Sequence, residues 1–525
     1  MYIGAVSFYN DAMSFARIYS AQTQTLRGAI ISVEVDTSRG INAFNIVGLP
    51  DKAVQEACDR VGGALKNAGF PSPKHTNVKT VVSLAPAEVK KGGSYFDLAI
   101  AIGFLLANDD IYFNPKGKIF IGELSLNGEI RPVRGILPIT QAVKKAGYEE
   151  IYLPIENAEE AGLIDGIKIF GVKDLAEIIN HLDEKILKEK KVEIPVQPLT
   201  KIIRKEKNFL TDMSDIRGQE GAKRGLEIAC AGGHNIALSG PPGTGKTMLA
   251  RAYAGLLPDL SLEEILEITG IHSVAGTLSY GDIHTEPPFR APHHTASYVA
   301  MIGGGTNPRP GEVTLAHHGV LFLDEFPEFE KRVIEALRQP IEDGSVSVSR
   351  AKGTVHFPSQ FMLVAAMNPC PCGNRGSKHK PCICTNNDIN RYGRKLSGPI
   401  MDRIDIWINV PHIEYSALGE NAPSGEKSEV IRKRIIKARN IQEKRFNKIG
   451  RKIKTNSQMN ARDIANIVPL STEVRKILDD SATRLGLSPR AYHRVIKLAR
   501  TIADLAGNEN IENSHILEAL QYRPK

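Results

Sequence analysis

The run Gly240-Pro241-Pro242-Gly243-Thr244-Gly245-Lys246-Thr247 is a glycine-rich loop closed by a lysine and a hydroxyl. It satisfies the spacing G-x-x-x-x-G-K-[ST] at every fixed position, a spacing that suits a triphosphate. Glycines let the backbone wrap phosphate oxygens with its N–H groups, and a helix starting there adds the positive end of its dipole. Lys246 is expected to reach the β- and γ-phosphates of ATP, and Thr247 to ligate Mg²⁺. About 75 residues on, Gly319-Val320-Leu321-Phe322-Leu323-Asp324-Glu325 is an apolar run that ends in two carboxylates. Asp324 is expected to hold Mg²⁺ through water, and Glu325 to polarise the attacking water as general base. A third run, Phe361-Met362-Leu363-Val364-Ala365-Ala366-Met367-Asn368, ends in an amide that can position that water. Alone, an Asn after a strand is a common turn former. The two preceding motifs raise its rank.

These groups can meet only if buried strands deliver them to one place. Asn235–Ser239 reads as a strand before the loop and Met248–Leu257 as a helix after it. Residues 216–411 alternate strand, loop and helix throughout. Residues 1–182 also alternate, with strands in Ile30–Val35 and Thr80–Leu84 and a helix in Tyr95–Ala107, as in an α/β or α+β domain. Residues 184–207 hold eight Lys/Arg, four Glu and two prolines with little apolar periodicity, and read as a linker. From about Ser424 the chain is helical, with periodic runs in Ala461–Ile467, Thr472–Leu485, Ala491–Ala506 and Ser514–Leu520. The expected division is 1–183, a linker 184–212, a nucleotide-binding core 213–423, and a helical domain 424–525.

Composition bounds the rest. A chain of 525 residues predicts about three domains. With 42% hydrophobic and 24% charged residues it is not a disordered chain. A formal net charge of +8 permits an anionic partner without requiring one. No run of 18 apolar residues predicts a membrane span, and Met1–Val6 lacks the features of a signal peptide, so the expected location is the cytoplasm. Of six cysteines, Cys370, Cys372, Cys382 and Cys384 fall within fifteen residues. Four thiolates can hold a tetrahedral Zn²⁺ in a structural site, with His379 as an alternative ligand; the bland alternative is four reduced thiols in a loop. The pairs His293, His294 and His317, His318 read as structural or inter-subunit groups rather than a second metal site. Residues 430–454 hold eleven Lys/Arg and one Glu. They read either as a contact for nucleic-acid phosphates or as a solvated helix.

The three nucleotide motifs together resemble the AAA+ ATPases. The runs Arg290–Ser297, Pro310–Gly319, Asn368–Gly373 and Ser397–Asp405 narrow the resemblance to the magnesium-chelatase-like YifB/ComM family, which Asn45–Asp51, Leu84–Ala87 and Gly122–Arg131 also match. The resemblance covers essentially the whole chain. It implies an AAA+ P-loop core with a C-terminal helical lid, preceded by a Lon-protease-like α+β domain of the ribosomal S5 domain 2 type. It assigns Arg403 as the arginine finger that reaches the γ-phosphate in a neighbouring subunit, and Arg490 as the sensor-2 arginine of the lid. A finger supplied in trans implies a homo-oligomer, a hexamer in most relatives. In the first domain, Asp97 falls near the nucleophile position, Ser94 lies three residues earlier, and apolar Ile139 falls at the lysine position. A serine nucleophile needs a nearby base, so this domain is expected to lack protease activity, with Lys144 or Lys145 as the remaining candidates for one.

The resemblance implies a motor acting on branched or single-stranded DNA, a branch-migration helicase used in recombination of incoming DNA. Residues between Phe289 and Pro310 then resemble a pore-lining insert. The competing readings are a magnesium-chelatase ATPase subunit for tetrapyrrole metal insertion and an ATP-dependent protease or chaperone.

Overall fold

Hydrophobic clusters of the described residues form separately in the two halves of the chain, the largest two being those around Ile236 and around Val33. The computed structural model describes residues 14–74, 78–187, 191–204, 211–305, 308–350, 353–377, 380–413 and 425–524. It divides into two compact units, Met1–Ile203 with Ile265–His284, and Arg204–Glu264 with Thr285–Lys525. The helix expected for Tyr95–Ala107 begins at Asp97.

The first unit is built on a four-stranded sheet. Ser14–Gln24 pairs antiparallel with Arg27–Arg39, which pairs antiparallel with Val78–Ala85, and Ala43–Val47 closes the edge in parallel. Alternation along Arg27–Arg39 sends Ile31, Val33 and Val35 into the core, the period-2 pattern of a strand with one buried face. The helix Asp97–Ala107 packs on that face, with Gly103 against Val35 and Ile18. The helix Lys52–Asn67 packs on that helix and on Ala43–Val47, buries Val54, Ala57, Val61 and Leu65, and is capped by Asp51, which accepts from the Val54 N–H. A second sheet of three parallel strands, Lys118–Phe120, Glu150–Pro154 and Lys168–Val172, stacks Phe120, Tyr152 and Phe170 ring on ring. Residues Ile265–His284 pack in this unit although they follow the phosphate loop in sequence. The Gly135 N–H donates to the Ser273 hydroxyl at 2.9 Å.

The three positions weighed for protease chemistry are spread apart in their bonding. Ile139 is fully buried in the helix Ile136–Lys145. The Ser94 hydroxyl donates to Glu123. Asp97 is paired with Arg60 at 2.7 Å, and burial pushes its carboxyl up to about 6. Lys144 and Lys145 are exposed at the end of their helix.

The second unit is a mixed α/β body with a parallel five-stranded sheet and a helical C-terminal region. The strand order is Phe289–Arg290, Val320–Leu323, Met362–Met367, Ile236–Ser239, Ile406–Asn409. All neighbours are parallel. Val320–Leu323 is buried at every position, as expected of a parallel strand covered on both faces. The helices Ala461–Ile467 and Thr472–Leu485 have the bounds that the sequence periodicity predicts; Pro489–Ala506 and Asn513–Gln521 extend their runs by a turn or less. Within 289–310, a five-residue helix Tyr298–Ile302 leads into a hairpin of Gly303–Gly304 on Arg309–Pro310. No helix among the described residues is long and apolar enough to cross a membrane.

The basic stretch 430–454 is mostly the helix Ser428–Lys448, and its arginines are paired with acids or carbonyls, Arg434 and Arg451 at the surface. Arg432 pairs with Asp259, Arg434 with Glu227 and Glu426, Arg445 with Asp504, and Arg451 with Asp463. Arg439 donates to the Cys230 carbonyl. Arginine forks suit such buried bidentate contacts, while lysine heads keep their water. The exposed lysines Lys437, Lys444 and Lys448 lie along one outer face of the helix, seven and four residues apart, whereas the exposed Lys433 and Lys454 are paired with Glu429 and Glu264.

Asp504 is the anchor of this network. It is 2% exposed and accepts from Arg445, Arg500 and the Asn456 amide. Asp504→Ala leaves two guanidiniums without their anion and is expected to cost about 3–5 kcal/mol of stability. Chemical denaturation measures it; a loss below about 1 kcal/mol would show that the pairing is not structural.

Candidate active site

The phosphate loop leaves the strand Ile236–Ser239, which is held between Met362–Met367 and Ile406–Asn409. Gly240 continues the pairing: its N–H donates to the Met367 carbonyl at 3.2 Å. A Cβ at Gly240 would stand 2.1 Å from the Val410 carbonyl oxygen, so only glycine permits this close approach. Gly243 and Gly245 have φ of +75° and +87°, with open space where a side chain would be. The helix Lys246–Leu256 starts at the next residue. An open cradle of backbone N–H groups at a helix N-terminus is what a phosphate needs.

Lys246 folds across the cradle. Its Nζ donates to the carbonyls of Gly240 at 2.7 Å and Pro241 at 2.8 Å, and lies 3.3 Å from the Asn368 Oδ1. Burial lowers its pKa from the ordinary lysine value, opposed by the Asp324 charge. The Thr247 hydroxyl donates to the Asp324 Oδ2 at 3.0 Å. Thr244 ties the loop to itself through the Pro241 carbonyl. Thus Gly240–Thr247, Asp324 and Asn368, read from three separate runs of sequence, are brought together.

Glu325 follows Asp324 at φ +51°. A non-glycine residue in this left-handed region is strained, and such strain concentrates at functional sites. Its backbone N–H donates to the Asp324 Oδ1 at 2.9 Å. Its carboxylate lies 3.1 Å from the His294 Nδ1. His294 is thereby a residue of the site, whereas its sequence context read as structural or inter-subunit. The signal available was its place just after the edge strand Phe289–Arg290, which pairs in parallel with the strand that delivers Asp324 and Glu325.

Asn368 opens the cysteine knuckle. The sulfurs of Cys370 and Cys372 are 3.4 Å apart, Cys370 and Cys382 3.7 Å, and Cys372 and Cys382 3.6 Å. The Cys372 N–H donates to the Cys384 sulfur at 3.4 Å. Backbone N–H groups of Asn374 and Ile383 pull the Cys372 thiol down to about 6. All four sulfurs lie within 4.8 Å of one another. His379 lies outside the described residues. The knuckle leans on the phosphate loop: a Cβ at Gly373 would meet the Pro242 Cδ at 2.7 Å.

Arg403 and Arg490 meet elsewhere. Both donate to Glu342, and among the described residues none of their hydrogen bonds goes to the phosphate loop. Ser488 caps the helix Pro489–Ala506 and so places Arg490 in its first turn.

Comparison with known proteins agrees with this arrangement. Residues 212–418 match the family described as magnesium chelatase, subunit ChlI. Residues 33–157 match subunit ChlI of Mg-chelatase, and 425–523 match the C-terminal part of that subunit. The competence protein ComM of Haemophilus influenzae is 42% identical over 522 residues, covering 97% of this chain and 98% of that one. The YifB protein of Escherichia coli is 40% identical over 513 residues, covering 97% of each chain. Lon protease 2 of Bacillus subtilis is 26% identical over 167 residues, 29% of each chain.

The contact of Gly240 with Val410 yields a direct test. Gly240→Ala must push the loop off its strand, and nucleotide affinity is expected to fall at least about tenfold while the fold persists. Titration with a fluorescent ATP analogue reads this; unchanged affinity would show that the loop does not depend on that approach.

Proposed function

We propose that this chain, which belongs to the YifB/ComM family of magnesium-chelatase-like AAA+ ATPases, is an ATP-driven ring motor that remodels branched DNA. The observation that carries the ATPase half is the bond from Thr247 to Asp324, with Lys246 and Asn368 on its flank. The Thr247 hydroxyl and the Asp324 carboxylate offer oxygen ligands of the kind that Mg²⁺ takes. Bound there, the ion would neutralise part of the triphosphate's charge. Lys246 would exchange its carbonyl partners for phosphate oxygens. Glu325 would take the proton of the attacking water, with His294 holding its carboxylate in place and Asn368 orienting the water. Arg403 and Arg490 would act from a neighbouring copy, which makes the protein a homo-oligomer of the hexameric type.

We assign 1–183 to a Lon-protease-like domain of the ribosomal S5 domain 2 type, 184–212 to a linker, 213–423 to the ATPase core and 424–525 to the lid. Protease activity is absent on this reading, because Ile139 is apolar and the Ser94 hydroxyl is given to an acid. The partial likeness to Lon protease 2 agrees with the domain type.

DNA as the substrate is supported by the name of the full-length relative from Haemophilus influenzae, a competence protein, and competence is the uptake of DNA. Lys437, Lys444 and Lys448 are the cations we assign to the phosphate backbone. On this reading the protein works in the cytoplasm on branched or single-stranded DNA, through branch migration. The second reading, an ATPase subunit for tetrapyrrole metal insertion, is favoured by the descriptions of the matching family models.

Glu325→Gln is expected to bind ATP with unchanged affinity and hydrolyse it at least about 100-fold more slowly. With the intact protein, a synthetic four-way junction should be migrated only with ATP. Changing the three lysines to alanine should reduce the salt slope of DNA binding by up to about three. Normal hydrolysis by Glu325→Gln overturns the base assignment. ATP-dependent metal insertion into a porphyrin with no action on junctions overturns the DNA reading in favour of the chelatase.

Zn²⁺ is the third cofactor we propose. Tetrahedral Zn–S bonds of about 2.3 Å set sulfurs about 3.8 Å apart, close to the 3.4, 3.7 and 3.6 Å of the knuckle. Its role is structural, holding the segment after Asn368 against Pro242. Metal analysis of the purified protein is expected to give about one zinc per chain, lost in the Cys382→Ser, Cys384→Ser double variant. A metal-free preparation that binds nucleotide normally would sink this assignment.

A further inference from the structure

Glu342 stands near the end of the short helix Arg338–Asp343 and is gripped by two arginines from distant parts of the sequence. Arg403 donates from Nη2 to Oε2, and Arg490 donates from Nη2 to Oε1. Each oxygen of the carboxylate thus has its own guanidinium. Arg403 holds Glu342 in its charged form, well below the ordinary carboxylate pKa.

The two arginines do not meet by chance of rotamer. Arg494, one turn beyond Arg490, reaches the segment that carries Arg403. Its Nη1 donates to the Ile404 carbonyl at 2.8 Å, its Nη2 to the Asp402 carbonyl, and its Nε lies 3.5 Å from Asp405. Asp405 is in turn bonded to His234, just before the phosphate-loop strand, at 3.2 Å. The first turn of the helix Pro489–Ala506 and the 402–405 segment are therefore one block. Two guanidiniums brought together this way repel, and an anion between them relieves it.

The cluster has charge to spare. Two cations share one anion, and the Arg403 Nε is buried with no hydrogen-bond partner among the described residues. The site opens outward at Arg490 and Glu342, whose side chains are 50% and 45% exposed, while Arg403 is 10% exposed behind them. Two guanidinium forks around an anion are the donor set of a terminal phosphate.

We propose that Glu342 is a positioning residue that yokes Arg403 and Arg490 into one two-armed cation, aimed at the triphosphate of a neighbouring copy. This rests on the assignment of Arg403 as a finger acting in trans. The carboxylate keeps both arms at one spacing before assembly. The neighbour's phosphate then meets a preformed pair rather than two mobile side chains.

Mixing experiments test it. Glu342→Gln alone is expected to lose about tenfold or more in kcat with KM for ATP little changed, because its own phosphate loop is intact. Lys246→Ala has a dead loop but an intact arginine pair. In an equal mixture of the two, about one interface in four joins a good loop to a good pair. Hydrolysis should rise above that of either variant alone. Arg403→Ala mixed with Lys246→Ala is the control and should rise likewise. If the control rises and the Glu342→Gln mixture does not, Glu342 serves its own nucleotide or only its own fold, and the proposal is overturned. If the control itself stays flat, the finger assignment fails first and the yoke falls with it. Glu342→Gln that turns over ATP at the intact rate also overturns it. Should that variant melt early, Glu342→Asp, which keeps the charge and shortens the arm, is read in the same mixtures with the same outcomes.

Discussion

Parallel pairing of short apolar strands is the constraint on which everything in the second unit depends. Ser239 is opposite Met367 on one side and Asn409 on the other, and Leu323 is opposite Ala365. Because parallel strands run the same way, the groups that follow them leave the sheet at one edge. Gly240, Asp324, Asn368 and Val410 are those followers. A slip of one residue in any strand would turn its side chains to the other face. Asn235 guards against that slip: its side chain accepts from the Leu363 N–H and donates to the Arg403 carbonyl, while its backbone carbonyl accepts from Asp405 and Ile406. A single amide at the start of the strand thus sets the register of both neighbours, and with it the distance from Lys246 to Asn368.

Charge is used in two opposite ways in this unit. Arginines of the helix Ser428–Lys448 are each held against a named acid or carbonyl and tie the C-terminal helices to the core. Breaking such a pair leaves a buried charge, which costs far more than an exposed pair contributes. Arg403 and Arg490 differ in sharing a single carboxylate, which is 45% exposed. The positive net charge of the whole chain says little about which cations are on offer.

What the sequence made legible follows from which signals are local. The phosphate loop, the apolar run ending in Asp324 and Glu325, and Asn368 each carry their chemistry and their strand in one contiguous stretch. The helices Ala461–Ile467 and Thr472–Leu485 are bounded by Asn460 and Ser471 as caps, so their starts were readable too. His294 was not, because the strand before it is only two residues long and shows no periodicity. Glu342 was not, because its partners are 61 and 148 residues away and nothing near it marks a site. The pairing of the arginines in 430–454 was hidden as well: helical spacing tells which residues share a face, but not where the acids of other segments lie. Ile265–His284 misled for a different reason. Its sequence neighbours belong to one core, while Ser273 and its surroundings are held by Gly135 of another.

One unit therefore holds the phosphate loop with its carboxylates and the arginine pair on Glu342, bonded separately among the described residues. The loop, the carboxylates and the amide are bonded to one another; the arginine pair is bonded to Glu342. On the proposed reading, the loop with Lys246 and the arginine pair with its stand-in anion are complementary surfaces of neighbouring copies. Joining them between copies is a head-to-tail contact, because each copy gives one surface and receives the other. Such contacts propagate until the rotation closes. On the proposed reading, a closed ring is the arrangement in which every loop receives a pair of arginines and no end is left open. The yoke at Glu342 fits that requirement, since a ring in which each copy presents its cations in the same geometry gives every nucleotide the same environment. Subunits differing in nucleotide state can then pull on their neighbours through a contact that is either on phosphate or on carboxylate, an exchange of like-charged partners that needs little rearrangement of the arginines themselves.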